Sequence, residues 1–327
     1  MRVEHLFEKY LECNQSVSTD SRKIEKGNLF IALKGANFNG NQFADEALAK
    51  GARYAVVDEP AFATSPRHLL VADGLKALQA LAQYRRQQLN IPIIAITGSN
   101  GKTTTKELLN LALAKKYNTF STQGNLNNHI GVPLTLLAMP STTEIAVIEM
   151  GDNRQGDIAE LCQIAQPTHG YITNIGKDHL EGFGSFENNI RAKGELFDYL
   201  QQHHGTAFVS ENDPILLSMA KKFTQPVLFG RKHYLLKFVE ANPFVVYEDE
   251  DGNRWQTQLI GQYNFDNIQA VYAIARFMNV ATNAIHEAIC SYVPKNNRSQ
   301  LIHQNTNTYI LDAYNANPSS MEVALRS

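Results

Sequence analysis

The sequence predicts an α/β protein in which a small N-terminal α/β domain precedes a larger, doubly wound domain with a mostly parallel central sheet. Short apolar runs alternate with helix-like segments along the chain, as expected for strand–helix units. The run Ile93–Thr97 is continuously apolar, which is typical of a strand buried on both faces of a parallel sheet. A glycine-containing turn and a helix-like segment follow that run directly.

The first domain is predicted to cover residues 1–90. The segment Asn90-Ile91-Pro92 interrupts the pattern, so we place the domain boundary there. Within this domain the apolar spacing predicts strands at 29–33, 54–57 and 69–71 and helices at 42–50 and 75–89.

The central domain is predicted to cover residues 91–313. Residues 244–260 alternate around Asp251-Gly252, which predicts a hairpin and hence an antiparallel edge to the sheet. A helix-like run at 321–325 reaches Ser327 without a terminator, which suggests a truncated chain. Strands are further expected at 93–97, 145–150, 171–174 and 309–312, and helices at 102–116, 158–165, 189–200, 263–278 and 282–290.

Composition limits the function. The 327 residues carry a formal net charge of −2, which argues against a nucleic-acid-binding protein that works by bulk phosphate attraction. Three separated cysteines without a CxxC pair argue against a zinc ribbon or a disulfide framework. The charged N-terminus does not resemble a signal peptide, and no apolar run approaches the ~20 residues that a bilayer-spanning helix needs. We therefore expect a cytoplasmic protein without membrane insertion.

The strongest motif is Thr97–Thr104, TGSNGKTT, between the apolar strand and a helix. Its glycines let backbone N–H groups point at phosphate oxygens. Lys102 is expected to reach the β- and γ-phosphates, and the Thr103 hydroxyl to bind Mg²⁺. Ile96 stands where the common pattern has glycine; the alternative is a glycine turn with an incidental lysine. The predicted nucleotide contacts are Gly98, Ser99, Asn100, Gly101, Lys102, Thr103 and Thr104.

The chain resembles the Mur ligases, which join an acid to an amine at the expense of ATP. TGSNGKTTT is similar to the family's nucleotide loop, and residues 18–40 are similar to its UDP-sugar domain. GNLNNHIGVP and DAYNANP resemble the member that adds D-alanyl-D-alanine. The matching segments are GNLNNHIGVP (124–133), EMG (149–151), NIGKDHLEGFGS (174–185), AKGE (192–195) and DAYNANP (312–318).

The resemblance implies a three-domain ligase, which we expect to be a monomer and in which residues 314–327 would begin the third domain. Its first domain would hold UDP-N-acetylmuramoyl-tripeptide, its central domain ATP with Mg²⁺, and a third domain would close over both. ATP would phosphorylate the tripeptide's terminal carboxylate, and the amine of D-alanyl-D-alanine would then displace phosphate. Such chemistry needs aligned substrates and neutralised charge more than a protein nucleophile.

Four residues are expected to serve metal ions and catalysis. Glu149 ends a buried strand and is assigned to Mg²⁺ beside Thr103, the alternative being a helix-capping carboxylate. The resemblance implies that His179 binds a second Mg²⁺ and that Lys193 is carbamylated and helps to hold it. A structural histidine and a carboxylate-paired surface lysine are the alternatives.

The resemblance also implies nucleotide contacts that lie later in the chain. Asn267 would read the adenine edge, because an amide both donates and accepts hydrogen bonds. Arg298 would bridge to the phosphates of ATP, and Asp312 would bind the ribose. Either Asn267 or Asn264 could instead cap a helix, and for Asn264 we prefer that interpretation.

Substrate contacts are expected in two further loops. Ser18, Asp20, Ser21 and Arg22 suit a uridine diphosphate, with a polar turn as the alternative. The range Asn127–Asn128 is expected to contact peptide near the reaction centre, or else to form a tight turn.

Asp152 and Arg154 depart from the alanine and histidine that are more usual in the family, which could alter the dipeptide pocket or its surroundings.

Three rival hypotheses remain. A nucleotide switch would use the same loop, but the base-reading Asn-Lys-x-Asp spacing of GTPases is missing from Asn174–Asp178. A non-catalytic UDP-sugar-binding relic is disfavoured by the intact Lys102, Thr103, Glu149 and His179. A sibling ligase that adds another amino acid is disfavoured by GNLNN and DAYNANP.

Overall fold

The computed structural model describes residues 1–176, 183–295, 297–298, 300–311 and 321. These residues form two compact units. The first contains Met1–Asn90, Gln123–Ser141 and Glu160–Gln166, and the second contains Ile91–Thr122, Thr142–Ala159 and the described part of Pro167–Ser327.

The first unit is an α/β layer around a four-stranded parallel sheet of order β1-β2-β5-β6. A short antiparallel hairpin, β3–β4, follows β2. The strands are β1 (Val17–Ser18), β2 (Leu29–Ile31), β3 (Lys34–Gly35), β4 (Phe38–Asn39), β5 (Tyr54–Val57) and β6 (His68–Leu70). The helices are α1 (Val3–Glu12), α2 (Ala44–Ala49), α3 (Gly74–Gln87) and α5 (Gly131–Ala138).

The sequence places residues 123–141 in the central domain, but in the structure they belong to the first unit. The reason is that α5 packs against α3 and buries Val132, Leu136 and Leu137. Gln79 of α3 adds a hydrogen bond from its amide to the carbonyl of His129, at 3.2 Å. The predicted break near residue 90 coincides with the end of the first long segment of that unit.

The second unit is built on a six-stranded, wholly parallel sheet of order β12-β11-β10-β7-β9-β8. Its strands are β7 (Ile93–Thr97), β8 (Thr119–Ser121), β9 (Ile145–Glu149), β10 (His169–Ile172), β11 (Thr206–Ser210) and β12 (Val227–Phe229). The helices are α4 (Lys102–Leu113), α6 (Asp157–Ala165, which belongs to the first unit from Glu160 onward), α7 (Phe186–Gln202), α8 (Pro214–Ala220), α9 (Asn264–Phe277) and α10 (Thr282–Ser291).

Strand β7 lies in the middle of this sheet, between β9 and β10. The chain runs from β7 outward to β8 and β9 on one side and continues with β10, β11 and β12 on the other, so the strand order reverses beside β7. Every residue of β7 and β9 is buried, as the continuously apolar runs predicted. In open α/β sheets ligands bind outside the carboxyl ends of strands at such a reversal.

The predicted hairpin is present, but it does not extend the parallel sheet. Its strands β14 (Phe244–Glu248) and β15 (Arg254–Ile260) join β13 (Lys237–Ala241) in a separate antiparallel sheet. One face carries the buried Tyr247 and Leu259 and packs against α9 and α10. The alternation that identified the hairpin therefore reflects packing on helices. It says nothing about which edge a strand pairs with.

A second antiparallel hairpin, β16 (Gln300–Gln304) with β17 (Asn307–Leu311), follows α10 and includes part of the strand expected at 309–312. Side-chain caps explain several helix starts: Asp73 accepts from the backbone N–H of Lys76 before α3, and Ser185 accepts from that of Asn188 before α7. Within the described residues we find no helix with the length and apolar character needed to cross a bilayer.

Candidate active site

The loop between β7 and α4 is shaped by two glycines with positive φ. Gly98 has φ +134° and Gly101 has φ +83°, a conformation that residues with a side chain rarely adopt. A Cβ on Gly98 would lie 2.1 Å from the Thr173 hydroxyl, and one on Gly101 would lie 2.4 Å from Oδ1 of Asn267. Both the backbone conformation and the available space therefore require glycine here.

Lys102 opens α4, and its ammonium lies over the loop. Nζ donates to the carbonyl of Gly98 and, at 3.2 Å, to that of Ser99. The positive charge is thus held beside the carbonyls of Gly98 and Ser99. A phosphate that enters this turn would meet that charge together with the N-terminus of α4.

Thr103 and Glu149 form a buried pair at the ends of adjacent elements. The Thr103 hydroxyl lies 3.0 Å and 3.2 Å from the two carboxylate oxygens of Glu149, which is only 2% exposed. Ile96 of β7 pairs with Glu149 of β9, so the sheet register brings this carboxylate level with the loop. A hydroxyl and a carboxylate are hard oxygen ligands that suit Mg²⁺, so the pair fits the predicted metal site.

His179, the predicted ligand of a second metal ion, lies outside the described residues. Among the residues that the structure does describe, no group of three or more His, Cys, Asp and Glu side chains is arranged to hold a metal ion. The support for Mg²⁺ in the described structure is therefore the pair Thr103–Glu149.

The end of β10 anchors the loop from its other side. Asn174 accepts from the backbone N–H of Asn100 at 3.1 Å and donates to the carbonyl of Asn100 at 3.0 Å. The Thr173 hydroxyl donates to the same carbonyl at 2.6 Å. Asn174 begins the motif at 174–185, but no role was predicted for Thr173 or Asn174. Polar residues that end a strand beside the loop strand are a signal that could have indicated one.

Asn267 contacts the loop from α9. Its Oδ1 accepts from the Thr105 hydroxyl at 3.1 Å, and its Nδ2 donates to Oδ1 of Asn264 at 2.9 Å. Asn264 in turn donates to the carbonyl of Ile260 at 2.9 Å. The capping role that we preferred for it is wrong, because Tyr263 is the N-cap residue of α9 and no described side chain caps that helix. In this structure the amide of Asn267 accepts from Thr105 and leaves no room for a side chain at Gly101. Adenine recognition through it stays a prediction.

Lys193 is fully buried on α7 and paired with an acid. Nζ lies 3.1 Å and 3.2 Å from the two carboxylate oxygens of Asp152 and 2.7 Å from Oδ1 of Asn189. The Phe183 ring centroid is 5.2 Å from the same nitrogen, a cation–π contact. Lys193 is thus not the surface lysine of the alternative interpretation, although it does have a carboxylate partner.

Two family models match this chain. One, described as Mur ligase middle domain, matches residues 96–275, which are 180 of the 327 residues; the other, described as Mur ligase family, catalytic domain, matches residues 15–90. The chain belongs to the Mur ligase family. The first match contains the phosphate loop, Glu149 and Lys193, so the geometry above lies within the region that the family shares.

Individual relatives agree with the family models. The UDP-N-acetylmuramoyl-tripeptide–D-alanyl-D-alanine ligase of Bacillus subtilis is 36% identical to this chain, over 95% of this chain and 69% of that enzyme. The corresponding ligase of Escherichia coli is 35% identical, over 95% of this chain and 71% of that enzyme. Among solved structures, MurF from Acinetobacter baumannii has a TM-score of 0.85 at 34% identity over 95% of this chain and 70% of its own. MurF from Thermotoga maritima in complex with ADP has 0.85 at 28% over 96% and 74%.

In the first unit of this Mur ligase, the predicted UDP contacts form a tight local cluster. Asp20 accepts from the backbone N–H of Arg22 and from two nitrogens of its guanidinium, at 2.8–3.0 Å. These bonds hold the pKa of Asp20 well below its usual range. Ser18 bonds Asp20, and Ser21 begins a 3₁₀ turn. The polar-turn alternative explains these bonds, and the substrate contacts stay a prediction.

The asparagine loop lies in the same unit. Oδ1 of Asn128 accepts from the backbone N–H groups of Ile130 and Gly131 at 3.1 Å and 2.9 Å, which satisfies the first turn of α5. The backbone N–H of Asn127 donates to the carbonyl of Asn125 at 2.8 Å. The structure thus gives these asparagines the turn-forming contacts that we named as the alternative, and a peptide contact stays a prediction.

Arg298 and Asp312 were predicted to bind ATP. Arg298 is half-buried in the turn before β16. Burial raises the pKa of the Tyr292 phenol, which donates to Glu107 of α4 at 2.6 Å, and the charge of Arg298 partly opposes that rise. ATP binding by Arg298 stays a prediction. Asp312 lies outside the described residues.

Two residues near Lys193 were not assigned roles from the sequence. Glu195 accepts from the backbone N–H of Gly156 at 2.7 Å and that of Ala159 at 2.9 Å, and so caps the first turn of α6. Burial raises the pKa of Glu195. Asn189 is the other, and it bonds Lys193 directly. Of the two departures from the family, Asp152 pairs with Lys193, whereas Arg154 makes an exposed ion pair with Asp157 at 3.1 Å.

Proposed function

We propose that this protein is an ATP-dependent ligase that joins D-alanyl-D-alanine to UDP-N-acetylmuramoyl-tripeptide in the synthesis of peptidoglycan precursors. The proposal rests on the buried Thr103–Glu149 pair at the head of a glycine-shaped loop. That arrangement suits a nucleoside triphosphate with Mg²⁺. The names of the Bacillus subtilis and Escherichia coli relatives supply the two substrates.

The reaction needs two displacements. A carboxylate oxygen of the tripeptide attacks the γ-phosphorus of ATP, the bond to the bridging oxygen breaks, and ADP leaves. The dipeptide amine then attacks the carbonyl carbon of the acyl phosphate, loses a proton and expels inorganic phosphate. Each step moves negative charge between oxygens, so fixed positive charge and alignment provide most of the catalysis.

The residues of this chain divide that task between them. The N–H groups at the start of α4 and the Lys102 ammonium hold the phosphates, and Gly98 and Gly101 let the backbone approach them. Thr103 and Glu149 would hold Mg²⁺, which supplies charge neutralisation at the transferred phosphoryl group. His179 and a carbamylated Lys193 would complete a second metal site, as the family resemblance implies.

Substrate placement follows the sequence predictions. Ser18, Asp20, Ser21 and Arg22 would hold the UDP group, and Asn127 and Asn128 the peptide. Asn267, Arg298 and Asp312 would hold the adenine, phosphates and ribose of ATP. We place the reaction in the cytoplasm, where ATP is supplied, and expect a monomer.

Replacing Lys102 by alanine tests the nucleotide site. The variant removes the charge over the loop, so ADP-forming turnover should fall at least 1,000-fold, roughly the loss expected for a key group in phosphoryl transfer. Phosphate release is measured with ATP–Mg²⁺ and both peptide substrates. Lys115→Ala, which alters an exposed lysine paired with Glu287 at 3.4 Å, serves as the matched control.

The same assay separates a ligase from a nucleotide switch. A ligase releases phosphate only when the tripeptide and the dipeptide are both present, whereas a switch hydrolyses nucleotide without them. Acceptor-independent hydrolysis by the wild-type protein, or full turnover by Lys102→Ala, would contradict the proposal.

A further inference from the structure

A continuous path of polar contacts leads from the phosphate loop to Lys193. The Ser99 hydroxyl accepts from the backbone N–H of Gly176 at 2.7 Å. Nδ2 of Asn189 donates to the carbonyl of Gly176 at 2.8 Å, and Oδ1 of Asn189 accepts from Nζ of Lys193 at 2.7 Å. Asp152 ends the path with its ion pair to Lys193. We call these five residues the relay.

The side chains of the relay are buried. Asn189 and Lys193 are 0% exposed, Asp152 is 6% and Ser99 is 8%. Burying polar groups is costly unless each finds a partner, and asparagine is also a poor helix former. An apolar side chain at position 189 would avoid both costs. The asparagine therefore needs an explanation beyond helix packing.

An amide is well suited to the middle of the relay. It presents a donor and an acceptor from one rigid plane, so the two bonds of Asn189 fix each other's direction. Positions 189 and 193 are one helical turn apart and share a face of α7. Ser185 caps that helix, accepting from the backbone N–H of Asn188 at 3.2 Å, which fixes the turn from which Asn189 projects.

We propose that Asn189 is a positioning residue that couples the phosphate loop to Lys193, an inference that rests on the proposed function. When the loop wraps around the phosphates, the position of the Ser99 hydroxyl sets that of the Gly176 peptide. The Gly176 carbonyl orients the amide of Asn189, and the amide oxygen holds Nζ of Lys193 together with Asp152. The phosphate loop and Lys193 are thereby held in one fixed relative position.

The first test compares Asn189→Ala with Asn188→Ala. Asn189→Ala cuts the relay, so kcat should fall at least tenfold while KM for ATP and the Kd of a fluorescent ATP analogue stay within twofold. Asn188 lies on the same turn but donates to the Phe183 carbonyl at 2.8 Å, outside the relay, so Asn188→Ala should retain wild-type kcat. Wild-type kcat in Asn189→Ala, or equal losses in both variants, would overturn the coupling.

The isosteric Asn189→Asp variant keeps the packing and separates the two halves of the relay. It retains an acceptor for Lys193 but has no donor for the Gly176 carbonyl. The kcat of Asn189→Asp should fall as far as that of Asn189→Ala. A wild-type kcat in Asn189→Asp would mean that Asn189 only holds Lys193, and it would overturn the proposed coupling to the phosphate loop. This variant also answers the question if Asn189→Ala does not fold.

A double-mutant cycle completes the test. If Ser99 and Asn189 act through one path, Ser99→Ala combined with Asn189→Asp should lose no more kcat than the worse single variant. Losses that multiply would reject the relay. The proposed function is judged separately: wild-type protein that releases no phosphate with both substrates rejects that function, whereas active wild-type protein with unaffected Asn189 variants rejects only the relay.

Discussion

The phosphate loop and the buried group of Lys193, Asp152 and Asn189, which we call the lysine cluster, lie in the same unit but are built differently. The loop owes its shape to the backbone: Gly98 and Gly101 have positive φ, and the ends of β7 and β10 hold it in place. The lysine cluster owes its shape to contacts between side chains from separate segments. A site shaped by the backbone can therefore be recognised in a contiguous motif, whereas a cluster of side chains depends on pairs that only the fold brings together.

The largest effect is expected in the lysine cluster. Asp152→Ala removes the carboxylate that pairs with the buried Lys193 ammonium, so the free energy of unfolding should fall by about 3–5 kcal/mol. Adding Lys193→Met should recover most of that loss, because the buried ammonium is then removed as well. Asp198→Ala, which breaks an exposed ion pair between Asp198 of the same helix and Lys222, should cost less than about 1 kcal/mol. Urea denaturation of the wild-type protein and these three variants measures the differences.

The same variant bears on carbamylation of Lys193. A carbamate is an anion and would face the carboxylate of Asp152, so we expect Asp152→Ala to take up more ¹³C-bicarbonate label at Lys193 than the wild-type protein, as measured by NMR. Equal labelling of the two proteins would show that Asp152 does not control the modification.

A smaller effect is expected in the loop. Gly101→Ala strains a position with φ +83° and brings a methyl group against Asn267, so the Kd for ATP–Mg²⁺ should rise at least tenfold, about 1.4 kcal/mol. Gly252 has a nearly equal φ of +84° in an open hairpin turn, where the methyl group of an alanine would meet no described atom within 4 Å. Gly252→Ala therefore carries the backbone strain alone and should bind nucleotide normally. Isothermal titration distinguishes the two, and equal weakening would mean that the crowding at Asn267 is unimportant.

A further effect concerns acid and provides a background for both regions. His286 is buried between Tyr247 and Trp255, and burial lowers its pKa to about 4. The unfolded chain takes up a proton near pH 6.5, so the stability gained from the neutral ring is complete above that pH and is lost as the pH falls towards 4. His286→Gln should flatten this part of the stability profile in urea titrations from pH 7 to 4. An unchanged slope would exclude His286 as its source.

Much of the fold could be predicted because burial leaves a direct pattern in the sequence. Strand β7 was predicted with the observed bounds, and helices α3 and α9 to within two residues, because apolar spacing reports the buried faces. Strands β8, β11 and β12 were missed. Length alone does not explain this, because β11 has five residues and the three-residue strands β2 and β6 were predicted. The separate antiparallel sheet and the membership of residues 123–141 in the first unit depend on which elements pack together. The spacing of apolar residues in the sequence does not identify those partners.

The candidate site, like the fold, could be predicted only in part. The loop and the pairing of Thr103 with Glu149 followed from a motif and from a carboxylate at a strand end. The contacts of Asp152 and Asn189 with Lys193 did not, since these residues lie 41 positions and four positions from the lysine and share no motif with it. Asp152 had been noted only as a departure from the family, and tertiary packing was needed to give it a partner.

The support that Asn267 gives to the phosphate loop affects the order in which the protein becomes competent. The amide reaches Thr105 from 162 positions further along the chain. At roughly 5–20 residues per second, a ribosome completes the phosphate motif roughly 8–30 s before it adds this asparagine. A nascent chain therefore contains the motif well before the hydrogen bond between Thr105 and Asn267 can form, which requires that translation has reached α9.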